Sequence, residues 1–432
     1  MLCFLRQLRH ELNQMLVPGR RRQVVRRRTN HTTVDALETR TLLAGDFELL
    51  KDINTVPSMD GSFPADFTAV GSMTFFTATT ATHGKELWKT DGTANGTVLV
   101  KDILPGSYGS NPGDLTNFNG TLFFSAGDGA NGFELWKSDG TTAGTVLVQD
   151  IQAGIYGANP RFLTNINGTL YFAADNGAQG IEVWKSDGTT AGTVLVKDVQ
   201  AGGSGASPQH LINVNGALFF SSNDGVNGYE LWKSDGTANG TVLVKDIRAG
   251  GSDSSPRNLT NVSGTLFFST NDGVSGYELW KSDGTANGTV LVKDIWVGRG
   301  GAAPRNLTNV NGTLFFTAND GIHGEELWKS DGTAAGTVLV QDFAGGSGGS
   351  NPSSVTVAGD RLFVIATTEA FGRELFVMSA NAAPAGIIVT PISNNTTEAG
   401  GAGSFGVSLD SRPTADVTIP LSSDDTTEGT ID

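Results

Sequence analysis

Short runs of apolar or alternating residues recur along most of the chain, separated by clusters of Gly, Asn, Asp and Thr. Between 307 and 340 the order is Leu307-Thr-Asn-Val310, Asn311-Gly312, Thr313-Leu-Phe-Phe-Thr317, Asn319-Asp320-Gly321, Glu326-Leu-Trp328, Ser330-Asp331-Gly332-Thr333 and Thr337-Val-Leu-Val340. Runs this short, bounded by turn formers, predict four strands joined by tight connections. Asn-Gly supplies the positive φ of a two-residue hairpin and recurs at Asn119-Gly120, Asn167-Gly168 and Asn215-Gly216. No segment carries a convincing helical period.

The pattern repeats every 48 residues. Trp88, Trp136, Trp184, Trp232, Trp280 and Trp328 keep that spacing, and Phe376 takes the seventh step. Glu86 to Glu374 and Pro64 to Pro352 hold the same register. Seven copies of a four-stranded unit predict an all-β fold, a seven-bladed β-propeller. The seventh copy ends at Glu374-Leu-Phe-Val-Met378 without a fourth strand, whereas Glu48-Leu-Leu-Lys-Asp-Ile53 aligns with Val98-Leu-Val-Lys-Asp-Ile103. That peptide is expected to close the last blade and remove a sheet edge. With Trp88 opposite Leu99, an unbroken ladder would also set Glu86 against Lys101, and in blade seven Glu374 against Lys51.

The unit Glu-Leu-Trp-Lys-Ser-Asp-Gly-Thr, seen at 134–141, 230–237, 278–285 and 326–333, resembles the ELWxxDGT repeat family. That resemblance implies an extracellular bacterial repeat protein with no assigned chemistry. Ala36-Leu-Glu-Thr-Arg-Thr-Leu-Leu-Ala44 is similar to the LEPR-XLL segment that opens many planctomycete surface proteins, which implies export. Thr396-Thr-Glu398, Pro413-Thr-Ala-Asp416 and Asp425-Thr-Thr-Glu428 resemble Calx-β repeats. The expected organisation is a basic, mostly disordered leader (1–44), the propeller (45–380), a linker (381–386) and an incomplete Calx-β-like β-sandwich (387–432).

Composition narrows the function. The 432 residues carry 44 acids against 29 bases, with 58 glycines and one cysteine. Nine arginines and three acids fall in residues 1–44, so the remainder holds 20 bases and 41 acids. So acidic a body repels nucleic acid. One cysteine excludes a disulfide framework, and no apolar run approaches the ~18 residues of a transmembrane helix.

Most repeated residues read as structure. The tryptophans and Phe376 are expected between blades, and the Asp of each Asp-Gly-Thr in a turn. Asp224, Asp272 and Asp320 are the weak metal candidates, with Ca²⁺ as the ion, although the alternating ligands of a calcium loop are missing. No cofactor is otherwise indicated. Departures from the repeat mark ligand positions: Tyr108, Tyr156 and Trp296 on the loops between blades, suited to stacking on sugar rings, and Arg161, Arg257 and Arg305 at the entry to the innermost strands, suited to an anion. No Ser/His/Asp set or phosphate loop is present. The resulting expectation is a non-catalytic extracellular or cell-surface module for adhesion, protein interaction or glycan binding. The alternative is a propeller enzyme acting on polysaccharide.

Overall fold

A computed structural model describes residues 49–55, 61–359 and 361–379, with two short strands beyond them, Ile387–Val389 and Val407–Leu409, which pair antiparallel. The leader, the LEPR-XLL-like segment, the linker and all else in 387–432 lie outside the described residues.

The described chain is all β apart from one short 3₁₀ turn, Gly346–Gly348. Six four-stranded antiparallel sheets follow one another as meanders, and a seventh has three strands. Blade one shows the unit: Ala65–Val70, Met73–Thr80, Gly84–Thr90 and Val98–Lys101. The first strands stand side by side around the axis. Thr68 Oγ1 donates to Leu115 O at 3.1 Å, and Thr116, Thr164 and Thr260 repeat the bond to the next blade at 3.3 Å. The molecule is a seven-bladed β-propeller.

The core lies between blades, because both faces of each sheet are covered. Phe123, Leu135 and Val148 of blade two pack on Leu170, Phe172 and Trp184 of blade three, and the same set recurs between the later pairs. Polar stitches hold each junction in register. Lys101 Nζ donates to Thr145 O at 2.8 Å and lies 5.7 Å from the centre of the Trp136 ring. Lys197, Lys245 and Lys293 do the same toward the following blades.

Two expectations are corrected. A bulge between Leu87 and Trp88 sets Leu87, not Glu86, opposite Lys101, and every four-stranded blade repeats it. The extra residue turns the lysine toward the next blade and leaves the glutamate facing inward, so the cross-strand ion pairs do not form. The second concerns closure. Residues 49–55 form no strand, and among the described residues the seventh sheet contains only Ser353–Ala358, Arg361–Thr368 and Gly372–Ser379. Lys51 Nζ instead donates to Thr97 O at 2.6 Å, and Ile53 packs on Phe76, Ala78 and Trp88. The peptide thus meets blade one as a fourth strand meets its successor, but is not paired to the third strand of blade seven. Glu374 is exposed, and Leu375 is 62% exposed where Leu87 and Leu135 are fully covered.

Blade seven also packs less fully against blade six. A cavity of 260 Å³ lies there, lined by Leu327, Val340, Phe343, Leu362, Val364 and Phe376. Phe376 occupies the tryptophan column, with its ring 4.8 Å from that of Phe343. Phe376→Trp is therefore expected to fill the space and stabilise the protein by about 1 kcal/mol, read as a higher urea midpoint. An unchanged or lower midpoint would show that the cavity cannot accept the larger ring.

Candidate functional site at the mouth of the channel

The loops joining strands two to three and four to one share one face of the propeller. Their shape is set by the periodic glutamate. Glu134 is fully buried and accepts the N–H groups of Ile151 (3.0 Å), Gln152 (3.1 Å) and Ala158 (2.8 Å) in the loop to blade three. Glu182 holds Val199, Gln200 and Ala206 in the same way. In Glu86, Glu230 and Glu326 a serine hydroxyl joins the backbone donors. Burial pushes Glu134, Glu182 and Glu278 up to about 7. These carboxylates are loop anchors.

The loops approach so closely that glycine is needed on both sides. A Cβ on Gly132 would lie 2.5 Å from Gly157 N, and one on Gly157 would lie 2.2 Å from Phe133 N. The second glycine recurs at 109, 157, 205, 301 and 349, but position 253 is aspartate. Asp253 Oδ1 accepts the Tyr229 N–H at 2.8 Å, in place of the bare backbone contact made elsewhere.

That departure lies at a crevice of 370 Å³ between blades four and five, lined by Gln209, His210, Ser221, Tyr229, Asp253 and Arg257, among others. His210 is the second residue of its innermost strand and has φ 58°, as do its six counterparts within φ 53–59° (Asp66, Asp114, Phe162, Asn258, Asn306 and Ser354). A left-handed residue here interrupts the first ladder in all seven blades and leaves a non-glycine side chain in a strained backbone at the channel wall. The His210 ring lies 6.3 Å from that of Phe162. Burial, then the nearby Arg257 charge, holds the imidazole below its ordinary pKa.

Arg257 is exposed and fixed from one side. Its guanidinium carbon sits 4.3 Å from the centre of the Tyr277 ring, and Nη2 donates to the Tyr277 hydroxyl. Among the described residues no carboxylate lies within ion-pair distance of Arg161, Arg257 or Arg305. Arg161 lines the equivalent crevice between blades two and three, 230 Å³ in volume, together with Asp114 and Phe133. Burial raises the Asp114 pKa, Asp66 adds to the rise, and Arg161 opposes it.

The other candidates divide. Tyr108 is 87% and Tyr156 78% exposed on loops of this face. Trp296 is not a free platform: the space beside Gly300 and Gly321 is filled by its ring. The metal candidates are occupied as turns. Asp224 accepts Val226 N, Asn227 N and Asn227 Nδ2 at 2.9, 2.7 and 2.7 Å. Asp272 holds Val274 N and Ser275 N, and Asp320 adds an ion pair to His323 Nδ1 at 2.7 Å. Among the described residues no three His, Cys, Asp or Glu side chains come together as a metal site. No helix among them is long and apolar enough to cross a membrane. Sequence reasoning missed His210, Tyr229 and Asp253. Only Asp253 carried a signal, as the one non-glycine in its column between 109 and 349.

No family model and no characterised protein sequence matches the chain. It is similar to solved structures of a puromycin hydrolase (15% identity, TM-score 0.43, covering 78% of this chain and 57% of that one) and of a prolyl endopeptidase (12%, 0.46, 79% and 53%). It is also similar to the β-propeller domain of the trilobed protease from Pyrococcus furiosus, whose topology is described as open velcro (11%, 0.40, 73% and 94%). The chain thus spans just over half the length of the first two. The proteins so named are a puromycin hydrolase, a prolyl endopeptidase and a protease, none of them an adhesion module, and the expectation of a non-catalytic adhesion module is not carried forward.

Proposed function

We propose that the chain is an exported propeller enzyme acting on polysaccharide at the mouth of its channel, with the crevice between blades four and five as the cleft. The observation that carries this reading is Asp253. At a position where five other blades require glycine, a carboxylate ties the start of the third strand beside His210, Tyr229 and Arg257. Exposed Tyr108 and Tyr156 on the same face offer stacking surfaces for further sugar units. Export is supported by the LEPR-XLL-like residues 36–44.

The test is turnover by the purified full chain on panels of polysaccharides and of peptides, followed by viscosity and new chain ends. Asp253→Gly restores the residue of the other blades and should fold as the parent does. It is expected to lower polysaccharide turnover by about tenfold or more, since it frees the strand that positions Tyr229. Cleavage of peptides alone, or an unchanged rate in the Asp253→Gly variant, would overturn the assignment.

A further inference from the structure

We infer that this crevice binds a uronate unit of an acidic polysaccharide through Arg257 and breaks the chain there by β-elimination, an inference that rests on the enzymatic reading above. Such an elimination needs a cation on the sugar carboxylate, a neutral base for the adjacent carbon acid, and a proton donor for the leaving oxygen. The crevice holds one of each. Among the described residues no carboxylate lies within ion-pair distance of Arg257, and its stack on Tyr277 fixes the guanidinium plane for a two-pronged contact. In a chain of formal charge -15 the attraction of an anion must be local, and this arginine is local and unpaired. His210 is partly buried against Phe162, and with its lowered pKa it stands neutral, ready to accept a proton. Tyr229 lines the same cavity and is the residue there that can donate a phenolic proton.

The arrangement does not suit hydrolysis by paired acids, which needs two carboxyl groups flanking one bond. Among the described residues Asp253 is the one carboxylate lining this crevice, and its Oδ1 is committed to the Tyr229 N–H. In the eliminative step His210 takes the proton from the ring carbon next to the carboxylate. The released electron pair forms a carbon–carbon double bond as the bond to the neighbouring glycosidic oxygen breaks. That oxygen takes a proton from the Tyr229 hydroxyl, and the tyrosinate recovers one from the His210 imidazolium through solvent. No oxidant, reductant or water is consumed.

The experiment incubates the full chain with polygalacturonate, alginate, hyaluronate, a carboxyl-reduced polygalacturonate and a neutral glucan. Products are followed by the ultraviolet absorbance of an unsaturated uronate and by the vinyl proton in NMR spectra. Unsaturated ends are expected from at least one uronate polymer and none from the reduced or neutral ones. Arg257→Gln should lower kcat/KM by about 10²-fold. His210→Asn should lower kcat by about 10²–10⁴-fold while calorimetric binding of the polymer stays within about twofold, which also shows that the variant is folded. Saturated products from a uronate polymer would overturn elimination and leave the enzymatic reading standing. Equal cleavage of the neutral glucan would overturn the carboxylate requirement alone, and no cleavage of any polysaccharide would overturn both.

Discussion

Replacing Glu182 by alanine should cost the protein on the order of 3–5 kcal/mol, read as a lower urea midpoint. The carboxylate is fully buried and accepts three backbone N–H groups, from Val199, Gln200 and Ala206. Without it those donors have no acceptor, and each buried orphan is expensive. The same column makes stability depend on pH. Glu134, Glu182 and Glu278 stand at about 7 against an ordinary value of 4.5, because burial penalises the charged form. Between those values the folded protein holds more protons than the unfolded chain. Stability is therefore greatest near the lower end of that window and falls as pH rises through about 7. Thermal midpoints measured from pH 5 to pH 8 should decline, and Glu182→Gln, which cannot titrate, should flatten the slope. A midpoint that climbs across this range would contradict the burial argument. The turn aspartates act elsewhere: Asp139 and Asp187 are held below 3.8 by the Thr141 and Thr189 hydrogen bonds, so their effect is confined to more acidic solution.

Trp232→Ala is expected to destabilise by about 3–5 kcal/mol. The ring is 6% exposed and fills the junction between blades three and four, against Val183, Val196, Leu218 and Phe220. Lys197 Nζ lies 5.9 Å from its centre. Among the described residues its indole N–H has no hydrogen-bond partner, so the residue acts through volume and its π face. Trp232→Phe should then lose clearly less than Trp232→Ala, a graded pair measurable by chemical denaturation. Equal losses would point to a polar role for the nitrogen. Blade seven is the natural comparison, since phenylalanine already stands in this column there beside a 260 Å³ cavity.

The architecture was legible because its signals are local and repeated. Tryptophan every 48 residues, Asn-Gly turns and Asp-Gly-Thr turns each follow from short-range chemistry, and the turn reading of Asp139 is met by its bonds to Thr141 N and Oγ1 at 2.8 and 2.7 Å. The glutamate–lysine pairing failed because the bulge beside Trp88 shifts register by one residue, and no residue type at that point marks it. The fate of Lys51 was half legible. Its alignment with Lys101 holds, since each donates to a threonine carbonyl of the adjoining blade (Thr97 O and Thr145 O), but the expected strand in blade seven and the pair with Glu374 do not form. At the channel mouth Arg257 stood out as a charge in a variable column, whereas His210 owes its setting to a left-handed backbone and to Phe162 of another blade. Such a neighbour is 48 residues away and leaves no trace in the local pattern.

The lysine stitch has an evolutionary corollary. Because Lys101, Lys197, Lys245 and Lys293 each grip the following unit through the same two contacts, the boundaries are interchangeable. Unequal crossing-over that deletes or duplicates one 48-residue cassette would rejoin surfaces that already fit. At those four boundaries blade number can then drift through recombination without a compensating mutation, whereas Gln149 and Gln341 stand in the lysine's place at two others. The proposed cleft enjoys no such redundancy: His210 and Asp253 occur in one cassette only, so a crossover that spares the scaffold would still erase the proposed chemistry.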